Sequence, residues 1–322
     1  MFYIYSLRIS NTNITILSHK RHPKILAIVG PTAVGKTEFS IRLASKIDGE
    51  IVSVDSRQIY KHMDIGTSKP SRSSLKSIKH HLVDSLYPDQ EYNLAIFLEQ
   101  ANFAISDILS RNKVPIIVGG TGQYFWGLIE GWVVPEIKPN IKLRENLNKI
   151  YQYVGKETLK RHLSAIDKEA YERIDLNNPR RLFRAIELAI STDKNIPSKK
   201  TFPYNTYIIG LDLEPVLLKS KIDSRVQKMF DDGWVKEVNY LLDKGYSLNL
   251  PALSSLGYKE IASYIKNETN LTDCITTIQK RTNRFSKQQM NWFSKSDSRI
   301  NWFKSDHIGH SQALNKSISF LK

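Results

Sequence analysis

The sequence predicts an α/β protein whose mainly parallel sheet carries a phosphate-binding loop and is interrupted by a helical insertion. Three observations lead there. Gly30, Gly35, Lys36 and Thr37 stand as G-x-x-x-x-G-K-[ST] between an apolar run and a helix-forming run. Short β-rich apolar runs recur with helical text between them, the alternation of a parallel sheet with crossover helices. Between Pro135 and Pro203 the β signal fades into charged helical text, "IKLRENLNKIYQYVGKETLKRHLSAIDKEAYERI" and then "NPRRLFRAIELAIST".

Residues 1–24 read as an N-terminal extension, because positions 1–23 hold no acidic residue and lack both the unbroken apolar core and the Arg-rich amphipathic pattern of a targeting segment. "KILAIVG" (24–30) predicts a buried strand, with a helix over 37–46 after the loop. "EIVSVDS" (50–56) repeats the strand pattern and delivers Asp55 at its end, and "VPIIVGGTG" (114–122) does the same for Thr121. "YNTYIIGLDLE" (204–214) predicts a further strand. Such sheets bind ligands at the carboxyl ends of their strands, so the loop, Asp55 and Thr121 are expected on one edge.

Helices are expected over 216–231, 234–244, 257–266 and 272–293. In the last, Ile275, Ile278, Thr282, Phe285, Gln289 and Trp292 follow the three-four spacing of a seam, with Arg281, Arg284 and Gln288 on a neighbouring face. The predicted division is a P-loop NTPase-like core of 25–134 and 203–322 around an insertion of 135–202.

With 41% hydrophobic residues over 322, the chain can bury a full core. It holds 47 Lys plus Arg against 32 Asp plus Glu, a net +15, which points to a polyanionic partner. The insertion shares the excess, with 15 basic residues against 9 acidic ones. The single cysteine, Cys274, excludes a disulfide within the chain and a Cys-rich zinc module, fits a reducing compartment, and is expected to pack as a small apolar side chain. No apolar run reaches the roughly 18 residues of a membrane span.

In a loop of this kind, successive backbone N–H groups and a helix N-terminus cradle phosphate oxygens, Lys36 adds a point charge, and Thr37 can ligate Mg²⁺. The residues alone leave the chemistry open. A kinase or ATPase would use Asp55 to hold Mg²⁺, and a non-catalytic RNA-binding protein would use the loop as an anchor. Taken alone, Thr121 reads as a turn residue after Gly119 and Gly120. Arg225, in "KIDSRVQKM" beside Ile222, Val226 and Met229, reads as a surface arginine.

The polar and aromatic run that begins at Asp55 changes the balance. "DSRQIYKHMDIGTSKP" (55–70) and "VGGTGQY" (118–124), with "GPTAVGKT" (30–37), resemble the motifs of the tRNA dimethylallyltransferase family. The resemblance continues through "NNPRRLFRAIE", "IDSRVQKMFDDGWVKEV" and "SLGYKE" to "KRTNRFSKQQMNWF", nearly all of residues 25–293. It is to the bacterial type, since one cysteine cannot build the zinc finger that eukaryotic relatives often carry.

The resemblance implies transfer of a dimethylallyl group from dimethylallyl diphosphate to N6 of the adenosine 3′ of a tRNA anticodon, position 37, with release of diphosphate. Gly30, Pro31, Thr32, Ala33, Val34, Gly35, Lys36 and Thr37 would then bind the prenyl diphosphate, with Mg²⁺ as cofactor at Thr37. Asp55 would be the general base, and Thr121 and Arg225 would help clamp the leaving diphosphate. Asp55, Ser56, Arg57, Gln58 and Thr121 would surround the flipped base. Arg180, Arg181, Leu182, Phe183 and Arg184 would meet the anticodon stem-loop, with Arg281 and Arg284 as further tRNA contacts. Lys142, where relatives usually have arginine, fits a tRNA contact or salt-bridge cover equally. Ser254, Asn283, Gln288 and Asn291 depart from the family pattern and bear on tRNA affinity rather than on the reaction centre. A cytoplasmic monomer free of membranes is expected.

Overall fold

The computed structural model describes residues 8–9, 12–13, 22–134, 140–191 and 198–322. The expected extension, 1–24, lies largely outside them. Its described parts are residues 22–24 and two short strands that pair antiparallel, β1 (Arg8–Ile9) and β2 (Thr12–Asn13).

The chain divides into two compact units, residues 1–129 with 201–322, and residues 130–200. In the first, the apolar run before the loop forms β3 (Lys24–Val29), followed by α1 (Lys36–Ile47), β4 (Gly49–Val54), α2 (Arg72–Ser77), β5 (His80–His81), α3 (Leu94–Ser110), β6 (Val114–Gly119) and α4 (Gly122–Ile129). The second unit runs β7 (Trp132–Val133), α5 (Ile141–Tyr153), α6 (Lys156–Ile166), α7 (Lys168–Arg173), α8 (Pro179–Ile190) and β8 (Ser198–Lys199). The first unit resumes with β9 (Asn205–Asp212), α9 (Pro215–Asp231), α10 (Trp234–Asp243), α11 (Tyr258–Ile265), α12 (Leu271–Met290), β10 (Ile300–Lys304) and α13 (His307–Leu321).

Six strands form one sheet in the order β10-β9-β3-β6-β4-β5, and every pairing is parallel. Both faces are covered, which explains the continuous apolar runs. Leu26, Ile28, Ile116, Val118 and Ile209 pack with Phe39, Leu43 and Ala44 of α1 and Ala313 of α13, while the alternate residues Ile25, Ala27 and Ile117 are buried as well. The register pairs Ile28 with Val118 and Val54 with Gly119, so the strand ends that lead to the phosphate loop, Asp55 and Thr121 lie level.

A second core joins helices α9 to α12 to the segment after β4: Ile59, Tyr60 and Met63 pack with Val226, Trp234, Val238, Leu241, Tyr258, Ile261 and Ile278. Cys274 is buried there as a free thiol, as its isolation in the sequence predicts, and burial pushes its pKa up to about 11. The seam expected on α12 is only partly apolar. Cys274, Ile278, Ser286 and Gln289 are buried, whereas Phe285 is exposed, and Trp292, also exposed, lies beyond the helix, which ends at Met290 rather than 293. Arg281, Arg284 and Gln288 form an exposed face as the spacing predicts. β10 and α13, which the sequence pattern does not announce, complete the sheet edge; only Ile300 of β10 is fully buried, which weakens its apolar signal.

In the helical unit, β7 pairs antiparallel with β8, and Lys200 N–H donates to Gly131 O at 2.7 Å, so the two ends of the unit are tied together. Leu147, Leu159, Leu163, Leu182 and Ile186 form its core.

Candidate active site

The phosphate loop leaves β3 at Gly30 and enters α1 at Lys36. Gly35 caps the helix with φ of 101°, a left-handed conformation open to glycine at no steric cost. Lys36 turns back over the loop and donates to Gly30 O at 2.8 Å and Pro31 O at 2.7 Å. Burial first, then repulsion from Arg225, brings its pKa down to about 7 against the opposing pull of Asp55. Thr37 stands exposed in the first helical turn. Behind the loop, Ser305 Oγ donates to Val34 O and lies 3.2 Å from His310 Nε2.

Arg225 projects from α9 to Thr32 Oγ1 at 3.2 Å and also donates to Ser68 Oγ. Burial lowers its pKa, opposed by the charge of Asp55. The spacing on α9 suggested a surface arginine. It is instead a largely desolvated cation bonded to hydroxyls, and among the described residues neither Arg225 nor Lys36 forms an ion pair. Arg225, and Lys36 when protonated, are thus cations held by neutral acceptors, with Asp55 as the nearby opposing charge.

Asp55 follows β4 directly. Its Oδ1 accepts the amides of Arg57 at 2.8 Å and Gln58 at 3.3 Å, while Oδ2 has no hydrogen bond among the described residues. One oxygen fixes the carboxylate and the other remains available to a proton. Thr121 N–H donates to Val54 O at 3.4 Å, and Thr121 Oγ1 accepts from Ser56 N–H at 3.4 Å. Gln58 accepts from Ser53 Oγ and donates to the carbonyls of Thr67 and Ser68 at 3.3 and 3.2 Å, so it holds the segment that supports Arg225. Arg57 donates to Pro251 O and, at 3.1 Å, to Ser254 Oγ, which gives the unusual Ser254 a role.

Several contributors carry no signal in the sequence. Glu237 of α10 accepts three successive amides, Asp64 and Ile65 at 2.7 Å and Gly66 at 3.0 Å, and the Tyr258 hydroxyl at 2.8 Å. A lone glutamate in "GWVKEV" does not point to a loop partner more than 170 positions away. Tyr60, Tyr92 and Tyr124 stack edge to face with centroids 6.5 and 6.0 Å apart. Burial foremost pushes the Tyr124 hydroxyl up to about 12, with Asp55 among the charges that add to it. Gln289, placed in the seam by its spacing, reaches both the loop and Gly120.

The basic helices differ from the sheet edge. Arg281 pairs with Glu260 of α11, whereas Arg284 is exposed with no ion pair among the described residues. Asn283 bonds Asp223 at 3.0 Å, and Asn291 caps α12. In the helical unit, Lys142, Arg180 and Arg181 are exposed. Arg184 pairs with the buried Glu187 at 2.6 Å, which also takes Arg144 at 2.7 Å and the Asn140 amide at 2.5 Å. Leu182 requires a correction: it is fully buried in the core, so its side chain cannot meet a nucleic acid, and Phe183 packs edge to face on Tyr151.

For a divalent cation, the described residues contain no cluster of three or more His, Cys, Asp or Glu side chains. The oxygens at hand fit Mg²⁺ all the same, because that ion is commonly held by one or two protein oxygens together with substrate phosphates. Nor is any described helix long and apolar enough to cross a membrane.

Known proteins resemble this chain over most of its length. A family model described as IPP transferase matches residues 58–296, and one described as isopentenyl transferase matches 23–87. The tRNA dimethylallyltransferase of Roseiflexus sp. (strain RS-1) is 41% identical over 84% of this chain and 90% of its own. That of Acetivibrio thermocellus is 39% identical over 92% and 96%. Among solved structures, the tRNA isopentenylpyrophosphate transferase of Bacillus halodurans superposes with a TM-score of 0.70 at 33% identity, covering 94% of this chain and 97% of its own. A eukaryotic dimethylallyltransferase solved acting on tRNA gives 0.77 at 26% identity, over 92% and 80%. The chain belongs to the IPP transferase family, that of the tRNA dimethylallyltransferases.

Proposed function

We propose that this protein transfers the dimethylallyl group of dimethylallyl diphosphate to N6 of the adenosine 3′ of the anticodon, position 37, in tRNA. One observation carries the reading: Asp55, one of whose oxygens accepts no hydrogen bond among the described residues, shares an edge with a phosphate loop flanked by Lys36 and by Arg225 of α9, neither in an ion pair among the described residues. N6 attacks the allylic carbon, the carbon–oxygen bond to diphosphate breaks, and the N6 proton passes to Asp55. Lys36, Arg225, Thr121 and the loop amides receive the charge that develops on the departing oxygen, the step at which such donors act most strongly.

Mg²⁺ would be held at Thr37 and supplies charge neutralisation of the diphosphate. Exposed Arg180, Arg181, Lys142 and Arg284 suit the phosphates of an anticodon stem-loop, read by charge rather than by base edges. A cytoplasmic monomer completes the reading. The protein should convert unmodified tRNA so that, after nuclease digestion and mass spectrometry, one adenosine 3′ of the anticodon carries the added five-carbon group. Equal conversion of AMP, or modification elsewhere in the tRNA, would overturn the acceptor assignment.

A further inference from the structure

Gln289 is 7% exposed in the last turn of α12, and each end of its amide makes a hydrogen bond. Oε1 accepts Thr32 N–H at 2.7 Å, and Nε2 donates to Gly120 O at 3.0 Å. One side chain thus bonds both the phosphate loop and the loop that presents Thr121. The approach is tight: a Cβ on residue 120 would sit 2.3 Å from Nε2, so any larger residue there would push the Gln289 amide aside. Thr32 is held again through its hydroxyl by Arg225 at 3.2 Å.

Around Gln289, the end of α12 also grips the 120s. The Trp292 ring lies where a Cβ on Gly122 would come within 2.1 Å, and the Trp292 carbonyl accepts Trp126 Nε1–H at 2.7 Å. These contacts hold α4 and not the phosphate loop. Among the described residues, Gln289 alone hydrogen-bonds both the phosphate loop and Gly120 through its side chain. Transfer between a bound diphosphate ester and an incoming amine depends on the separation of the two sites, and a displacement of about 1 Å costs on the order of 100-fold in rate. A buried side chain with both hydrogen bonds satisfied is suited to fixing such a separation.

We propose that Gln289 is a positioning residue that locks the phosphate loop to the Thr121 loop and so sets the donor against the Asp55 edge. The inference rests on the reading that the loop holds the prenyl diphosphate. Gln289 touches no reacting atom itself. Its role is to hold the Thr32 amide and Gly120 in register, so its loss acts on donor use and not on tRNA affinity.

Gln289→Met keeps length and shape while removing both bonds, and Gln289→Glu keeps an acceptor for Thr32 N–H but loses the donor to Gly120. Steady-state and single-turnover kinetics for dimethylallyl diphosphate, tRNA binding and thermal melting are measured on both, beside Lys36→Ala. Both variants should lose about 10- to 100-fold in kcat/KM for the donor, with tRNA affinity within about twofold of wild type and a cooperative melt retained. A lowered melting temperature with donor kcat/KM unchanged makes Gln289 a packing residue and overturns the inference. Failure of both variants to fold does the same. If Lys36→Ala weakens donor use and the Gln289 variants do not, only this inference falls. If Lys36→Ala is also without effect on the donor, the loop is not the donor site and both readings fall.

Discussion

Lys36 and Arg225, at the carboxyl edge of the sheet, are partly buried and among the described residues bond only carbonyls and hydroxyls. In the helical unit, by contrast, Arg144 and Arg184 neutralise one buried glutamate, while Arg180, Arg181 and Lys142 stand in solvent. The net +15 of the chain therefore serves different tasks in different places. Arg225, and Lys36 in its ammonium form, present positive charge to a small anion from a desolvated edge where Asp55 is the nearby opposing charge, and such a field is little screened by salt. Exposed cations attract a polyanion weakly one by one and strongly together, and salt screens them. Arg144 and Arg184 serve the fold of their unit. Position in the structure, not residue type, separates these roles.

The largest expected effect lies at the sheet edge. Asp55→Asn keeps the shape and the two amide bonds to Oδ1 but removes the base, so single-turnover prenylation should slow by about 10² to 10⁴ while tRNA binding holds. A near-normal chemical step in this variant takes the base role from Asp55.

Lys36 sharpens the contrast through pH. Its pKa of about 7 means that the free protein carries a neutral amine above that value and an ammonium below it. Bound diphosphate favours the ammonium and raises the pKa, so donor binding takes up a proton between about 7 and the higher bound value. Affinity for dimethylallyl diphosphate should fall toward about tenfold per pH unit above 7. Titration from pH 6 to 9 should show this slope in the wild type and none in Lys36→Met; equal slopes would remove Lys36 from the cause.

In the helical unit, Arg184→Ala withdraws one of the two guanidinium partners of Glu187. Although burial raises the Glu187 pKa, hydrogen bonds from Arg144, Arg184 and the Asn140 amide hold it below the usual carboxylate value. The depressed value means that this stabilisation is present above the unfolded pKa and is lost as pH falls through the folded one. The variant should lose about 1–3 kcal/mol of stability, read by chemical denaturation. Unchanged stability would make Arg184 a surface cation like its neighbours.

Arg180→Ala and Arg181→Ala should show the smallest effects singly and the clearest salt signature. Each should leave stability intact and lower the slope of log affinity for tRNA against log salt by about 0.7 to 0.9. Filter binding across a salt series measures it, and an unaltered slope in the double variant would remove both from the interface.

The sheet edge is legible in the sequence because its parts are local. A strand, a glycine-rich turn and a lysine at the next helix announce the loop within one short run, and Asp55 and Thr121 each follow an apolar strand directly. Parallel pairing then brings the three together, as it must. The hidden parts depend on partners far along the chain. Glu237 bonds amides of 64–66, Arg225 finds Thr32 and Ser68, and Gln289 joins Thr32 to Gly120, and no spacing rule announces such pairings. Leu182 reads as a tRNA contact with its basic neighbours because "PRRLFR" looks like one motif, although on a helix its residues face different ways, and residue 182 faces the core. β10 gives little signal because it is an edge strand with one fully buried residue.

The most direct test of the central claim, that the loop serves a prenyl donor and not a nucleoside triphosphate, is one incubation of the protein with doubly traced substrates. Dimethylallyl diphosphate labelled in the prenyl group and ATP labelled in the γ-phosphate are supplied together with Mg²⁺ and total unmodified tRNA. Prenyl label is expected in tRNA in step with released diphosphate, with ATP left intact. Transfer or release of the γ-phosphate with no prenyl label in tRNA would contradict it.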